Sequence, residues 1–167
     1  MNDETWAPHV TVAAVIERDG RFLLVEEHTQ FGLRLNQPAG HLEAGETLHE
    51  AVVRETLEES AWSFTPEALV GMYMTHFGKP GESGATYLRF TYCGSVGAEP
   101  ENRALDPDIV RTLWMSVDEL RAASDRHRTP LVMQCVDDYL AGKRVPLDFV
   151  QTHAVGPRLA DKTGSKG

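Results

Sequence analysis

The chain has 167 residues, 41% apolar and 25% charged, which is enough for one domain with its own core. Its net charge of −9 argues against general nucleic-acid binding, which needs a basic face. No apolar run approaches the roughly 20 residues of a membrane helix, and the opening MNDETWAPH lacks the basic and apolar segments of a signal peptide. Cys93 and Cys135 are too few and too far apart for a disulfide framework or a cysteine metal site. They read as reduced core residues of a cytoplasmic protein.

In chain order, His9 to Ile16 is rich in β-branched residues and Arg21 to Val25 is apolar. Asp19-Gly20 between them readily adopts the positive φ angles of a tight turn, so an early hairpin is expected. Glu26 to Leu33 reads as a polar loop around Gly32. Leu35 to Glu43 reads as an extended stretch broken at Pro38-Ala39-Gly40. Thr47 and Glu50 form a capping box, which opens a helix expected to reach about Ser60, with Pro66 beyond its end. Leu69 to Phe77 and Ala85 to Gly94 are strand candidates joined by a loop containing Gly78, Gly81 and Gly84. Val110 to Met115 is another strand. Ser116 and Glu119 form a second capping box. Thr129-Pro130 opens a third helix with proline at its first position, an apolar face of Val132, Cys135, Val136, Tyr139 and Leu140, and a stop at Gly142. Residues 1–152 are expected to form the single domain, and residues 153–167, which lack periodicity, a mobile tail. This order of strands and helices predicts an α/β fold with helices on both sides of a mixed sheet.

The chemistry is concentrated in GHLEAGETLHEAVVRETLEESAW, Gly40 to Trp62. With about 100° between successive helical residues, Glu55, Glu58 and Glu59 share an arc of roughly 100°. Like charges three and four residues apart cost a few tenths of a kcal/mol per pair, and nothing opposite in sign is read within that arc. A neutralising group from outside the helix is therefore expected. Hard oxygen ligands at this density suit Mg²⁺, with Mn²⁺ as the other candidate, bound together with substrate phosphates. A backbone carbonyl from the Ala39-Gly40 turn would add a ligand if it points at the helix. The plain structural reading of Glu-x-x-Glu-Glu alone is a solvated acidic face.

With Gly40, Glu46, Arg54, Glu55, Glu58 and Glu59 at their spacing, the segment resembles the Nudix box, G-x5-E-x7-R-E-U-x-E-E-x-G-U, where U is a bulky aliphatic residue. Thr56 stands at an aliphatic position, and Ala61 replaces the second glycine. If that position needs a left-handed conformation, alanine costs about 1 kcal/mol relative to glycine; otherwise the helix runs on. PHVTVAAVIERDGRFLLVEE, LNQPAGHLEAGETLHEA, YLRF, RTPLV and GKRVPLD extend the likeness to roughly residues 8–150 and are similar to the NudJ-type phosphatase branch of that family. The resemblance implies a Nudix-type α/β/α sandwich. It also implies Mg²⁺-dependent hydrolysis of nucleoside tri- and diphosphates and thiamine-type pyrophosphates, including hydroxymethylpyrimidine diphosphate. Such an enzyme takes a small phosphorylated substrate and works as a monomer or homodimer. Cleavage of ADP-ribose-like compounds is the enzymatic alternative, and a metabolite-binding domain without turnover is the other.

The implied metal ligands are Glu55, Glu58, Glu59 and the carbonyl of Ala39, with either Glu55 or Glu58 as general base on a water. Glu46 and Arg54 are read as facing away from the metal arc and pairing to hold the loop on the helix, the rival being an Arg54–Glu50 pair. Asp108 is a further candidate ligand, with Asp106 as its rival and surface solvation as the plain reading. Arg89 in mid-strand holds a phosphate if it faces the cleft and is an ordinary exposed residue if it faces out. Asn36 and Gln37 are candidates for bonding a base or pyrimidine, or for a structural turn.

Overall fold

The computed structural model describes residues 6–78 and 84–153. The expected tail falls almost wholly outside them, as does the middle of the Gly78–Gly84 loop. The described residues form seven strands and three α-helices: β1 His9–Arg18, β2 Arg21–Thr29, β3 Gly32–Asn36, β4 Ala39–His41, α1 Leu48–Ser60, β5 Phe64–Phe77, β6 Ala85–Val96, β7 Ile109–Ser116, α2 Val117–Ala122 and α3 Leu131–Leu140.

The sheet has two leaves. One holds β4, β1, β6 and β5; the other holds β3, β2 and β7. They join where β1 and β2 pair at the hairpin, Arg18 opposite Arg21. The turn is the expected one, with Asp19 and Gly20 at φ of 52° and 73°. Only β1 and β6 run parallel, so the sheet is mixed.

Period-two alternation along β1 sends side chains to two cores. Val12, Ala14 and Ile16 join Ala51 and Val52 of α1, with Trp62, Phe64 and Tyr92. Val15 faces the other way, toward Cys93, Leu120 of α2, and Val132, Cys135 and Val136 of α3. β1 is therefore buried on both sides, and the helices sandwich the sheet. Cys93 and Cys135 are buried and free. Among the described residues no helix is long and apolar enough to cross a membrane.

Several expectations are corrected. The polar stretch after Val25 is not a loop: β2 continues through Glu26, Glu27 and His28, whose strand neighbours are Leu35, Arg34 and Leu33. Glu26 and Glu27 are buried acids tied to arginines from distant segments. Ala39 and Gly40 lie in β4 rather than in a turn. Pro66 lies beyond α1 as expected, but β5 begins at Phe64 rather than Leu69, so Pro66 falls inside the strand where the register with β6 shifts, the kind of bulge that tolerates a residue without an N–H. At α3, Pro130 occupies the capping position and Leu140 is exposed.

Candidate active site

Helix α1 starts where its chemistry requires. The Thr47 N–H donates to Glu50 at 2.7 Å and the Glu50 N–H to the Thr47 hydroxyl at 3.1 Å, completing the capping box. The helix ends at Ala61, which adopts φ 61°, ψ 9° and donates its N–H to the Leu57 carbonyl. The left-handed cap that glycine would favour is thus made by alanine, at a cost of about 1 kcal/mol. Thr56 is buried and donates its hydroxyl to the Val52 carbonyl at 2.7 Å. The departure from an aliphatic residue leaves no orphaned polar group there.

The Arg54 guanidinium organises the approach to the helix. It bonds Glu46 twice, Nε to Oε2 at 3.1 Å and Nη2 to Oε1 at 2.7 Å, and Nη2 also donates to the His41 carbonyl at 3.0 Å. The Glu46–Arg54 pair is therefore made. Arg54 does not face away from the acidic arc, however. Its Nη1 donates to Glu55 at 2.8 Å and to Glu58 at 3.0 Å. This fork-like reach is available to arginine because its donors are spread over a rigid plane. One cation thus hydrogen-bonds three carboxylates, with Glu43 a fourth at 4.0 Å, and its proton affinity is raised, Glu46 being the largest cause.

Gly40 explains itself by close approach. A Cβ there would collide with the carboxyl of Glu55. Strand β4 and helix α1 can approach this closely only through a residue without a side chain.

Glu55, Glu58 and Asp106 are brought together, each offering an oxygen within 4.8 Å of the others. Asp106 arrives from the segment between β6 and β7. That segment is tied to the end of α1 by the Glu101 N–H on the Ala61 carbonyl at 2.7 Å and the Asp106 N–H on the Glu58 carbonyl at 3.0 Å. Asp108 is anchored instead toward β2, its carbonyl accepting from the His28 N–H at 2.8 Å, although it lines the same cleft. Glu59 stands apart from the three. Its Oε2 accepts the Ala39 N–H at 2.8 Å. Burial pushes its carboxyl up to about 8, and the nearby charges of Glu27, Glu55 and Asp106 add to the rise. Burial also raises Glu55, against the pull of Arg54. Hard, clustered and partly desolvated carboxylates are a donor set that fits a divalent cation such as Mg²⁺.

Glu55, Glu59, Asp106 and Asp108 line a cleft of about 1060 Å³, together with Asn36, Ala39, Gly40 and Arg89. Arg89 faces it and is buried. Its Nη2 donates to Gln37 at 2.8 Å and its Nη1 to Asn36 at 3.4 Å, while Nε has no partner among the described residues. Gln37 is held in turn by donating to the Val132 carbonyl at 2.7 Å. No carboxylate among the described residues forms an ion pair with Arg89. Burial lowers its proton affinity, yet a guanidinium stays charged in proteins. The cleft therefore contains a buried cation solvated by two amides.

Glu27 was not singled out by its sequence. It is buried in the cleft wall, with Arg128 on Oε2 at 2.6 Å and no partner for Oε1 among the described residues. Its one signal, a pair of acids ending an apolar strand, is not distinctive.

The sequence model of the NUDIX domain matches residues 7–134. Phosphatase NudJ of Escherichia coli K12 is 38% identical over 143 residues, covering 86% of this chain and 90% of that protein. Phosphatase NudJ of Shigella flexneri matches to the same extent. Among solved structures, a NUDIX hydrolase from Nitrosomonas europaea superposes with a TM-score of 0.81 at 54% identity, covering 88% of this chain and 98% of that one. A MutT NUDIX hydrolase from Burkholderia pseudomallei, at 22% identity and a TM-score of 0.66 over 80% of this chain and 98% of its own, shares the fold. With the box on its helix, the sandwich around it and relatives along most of its length, this chain belongs to the Nudix hydrolases.

Proposed function

We propose that the protein is a Mg²⁺-dependent phosphatase that removes the terminal phosphate from nucleoside tri- and diphosphates and from thiamine-type pyrophosphates. The observation that carries this reading is the cluster of Glu55, Glu58 and Asp106, the first and last of which line the cleft, beside a buried arginine in the same cleft that pairs with no carboxylate among the described residues. The likeness to phosphatases named NudJ supports orthophosphate as the product.

Glu55, Glu58 and Asp106 would hold the cation, with Glu59 and the Ala39 carbonyl beside them. Bound there, Mg²⁺ would neutralise charge on phosphate oxygens and acidify water. The chain's own groups do the rest. Arg89, held in position by Asn36 and Gln37, donates to a phosphoryl oxygen and orients the substrate. Glu55 is the general base, since burial raises its affinity for a proton. It accepts the proton of the attacking water as the new O–P bond forms and the bridging P–O bond breaks. Orthophosphate leaves, and the shortened substrate carries away the bridging oxygen. Arg54 keeps Glu55 and Glu58 aimed while the charge shifts. Buried free thiols at Cys93 and Cys135 suit a reducing compartment such as the cytoplasm.

The test is a Mg²⁺-dependent product assay over nucleoside di- and triphosphates, thiamine diphosphate, ADP-ribose and a dinucleoside polyphosphate, with Glu58→Gln as control. Direct orthophosphate release from the first three, lost in the variant, is expected. Mononucleotide release from ADP-ribose alone would replace phosphatase by pyrophosphohydrolase. Cation binding without turnover of any compound would leave a metabolite-binding domain.

A further inference from the structure

Residues 97–108 carry Asp106 to the site and belong to no strand or helix. None of them is buried, and residues 97–104 are fully on the surface, so core packing does not place this segment. Hydrogen bonds place it instead. The Gly97 N–H donates to the Ser63 carbonyl at 3.2 Å, the Glu101 N–H to the Ala61 carbonyl at 2.7 Å and the Asp106 N–H to the Glu58 carbonyl at 3.0 Å. Helix α1 has no basic residue in its last turn, and the last carbonyls of a helix find no partner within it. The segment completes the exit of α1, and α1 in turn aligns the segment so that Asp106 meets Glu55 and Glu58.

One side chain joins the two at their root. Arg18, the last residue of β1, reaches the start of the segment. Its Nη2 donates to the carbonyls of Val96, at 3.2 Å, and Gly97, and its Nη1 to that of Ala98 at 3.4 Å. All three bonds go to backbone and none to an acid. The guanidinium lies 4.8 Å from the centroid of the Trp62 ring and 5.4 Å from that of Trp114 on β7, and the two indoles meet edge-on at 5.8 Å. Trp62 is buried and stands between Ala61 and Ser63, the residues whose carbonyls receive the segment. A plane that stacks on indole while its edge donates to successive carbonyls is available to arginine and not to lysine.

We propose that Arg18 is a positioning residue for Asp106: it fixes the root of residues 97–108 on the exit of α1 and thereby sets how tightly a divalent cation is held at Glu55, Glu58 and Asp106. This rests on the cation-binding reading of those acids. The sign of the effect separates positioning from plain electrostatics. Through space, a positive charge at position 18 repels a divalent cation, so its removal would leave affinity unchanged or raise it. Loss of positioning lowers it.

The experiment is isothermal titration of the full chain with Mn²⁺, for the wild type, Arg18→Met, Arg18→Lys, Asp106→Asn, the Arg18→Met/Asp106→Asn double variant and Glu58→Gln. Removing a group that orients metal ligands typically costs about 10–100-fold in metal affinity. Arg18 acts over a longer path, and Arg18→Met should weaken Mn²⁺ binding about five-fold or more. Arg18→Lys, which keeps the charge but not the fork, should lose nearly as much, and it carries the comparison if Arg18→Met does not fold. In the Asp106→Asn background the Arg18→Met change should cost less than about two-fold, since the group being positioned is gone. Unchanged or tighter binding in both Arg18 variants would overturn the proposal, as would an equal loss with and without Asp106. If Glu58→Gln abolishes binding and Asp106→Asn does not weaken it, the role of Arg18 fails alone. If the wild type binds no Mn²⁺, or Glu58→Gln binds it as well as the wild type, the cation-binding reading fails and this one with it.

Discussion

Two clusters of acids in this molecule, one on β2 and one on α1, differ in how their charge is balanced. Glu26 and Glu27 are buried on β2 and are met by Arg111, Arg126 and Arg128. Arg111 holds the Glu26 carboxyl below the ordinary carboxylate range. Among the described residues, Glu55 and Glu58 have only Arg54 as a cationic partner, and Arg54 also bonds Glu46 twice; Asp106 has none. There Glu55 and Glu59 are pushed up rather than down. An acid whose charge the chain itself balances ties segments together. Acids left in excess are a standing cost that only an incoming cation offsets, and such a cost is kept where a ligand is to be bound.

The largest effect that separates the clusters should be on turnover. Glu55→Gln should lower kcat by about 10²–10⁴-fold, the range for removing a general base, while the metal-free protein melts no lower than wild type. A fall in melting temperature as large as the loss of activity would make Glu55 a structural acid. Glu26→Ala should behave in the opposite way. It leaves Arg111 and Arg126 without their carboxylate and should cost about 2–3 kcal/mol in urea denaturation. The rate per folded molecule should stay within two-fold.

The comparison sharpens with pH, because Glu26 on β2 and Glu59 on α1 titrate with opposite sign. Glu59 has its folded value raised to about 8 from an ordinary 4.5. Its contribution is complete below 4.5 and is lost as pH rises toward 8 in the metal-free protein. Glu26 has its folded value lowered, so its contribution is present above 4.5 and is lost as pH falls through the folded value. Melting curves from pH 3 to 9 should therefore fall at both ends. Added Mg²⁺ should restore the alkaline side and not the acid side, and Glu26→Ala should flatten only the acid side. Restoration at both ends would mean that the cation acts by general screening.

The smallest effect concerns the boundary of the helix carrying the active-site acids. Ala61→Gly relieves a left-handed alanine and should raise stability by about 1 kcal/mol with unchanged kcat. Destabilisation instead would show that the methyl group of Ala61, which is buried, packs for more than its backbone costs.

Local chemistry made much of this legible in advance. Both capping boxes form as Thr47-Glu50 and Ser116-Glu119 predict, and Asp19-Gly20 makes the hairpin turn. These features depend on residues within a few positions of one another. The stretch after Val25 misled because charged residues rarely sit inside a strand. Only arginines about 85 to 101 residues away make Glu26 and Glu27 tolerable there. Arg54 misled for a related reason. Helical angles place its Cβ but not the reach of its guanidinium, which brings donors back to Glu55 and Glu58.

The sequence by itself determined the helix, the capping box that opens it and the shared face of Glu55 and Glu58, since helical period places these groups within one local frame. The tertiary structure alone decided that Asp106 joins those acids while Asp108 is anchored toward β2. It also decided that Arg89 lies buried between Asn36 and Gln37, and that Arg18 reaches the root of the segment carrying Asp106. Those outcomes rest on the docking of one segment on the end of α1 and on strand register across the sheet. No period in the chain encodes contacts of that range, because they arise from packing between elements rather than from spacing within them.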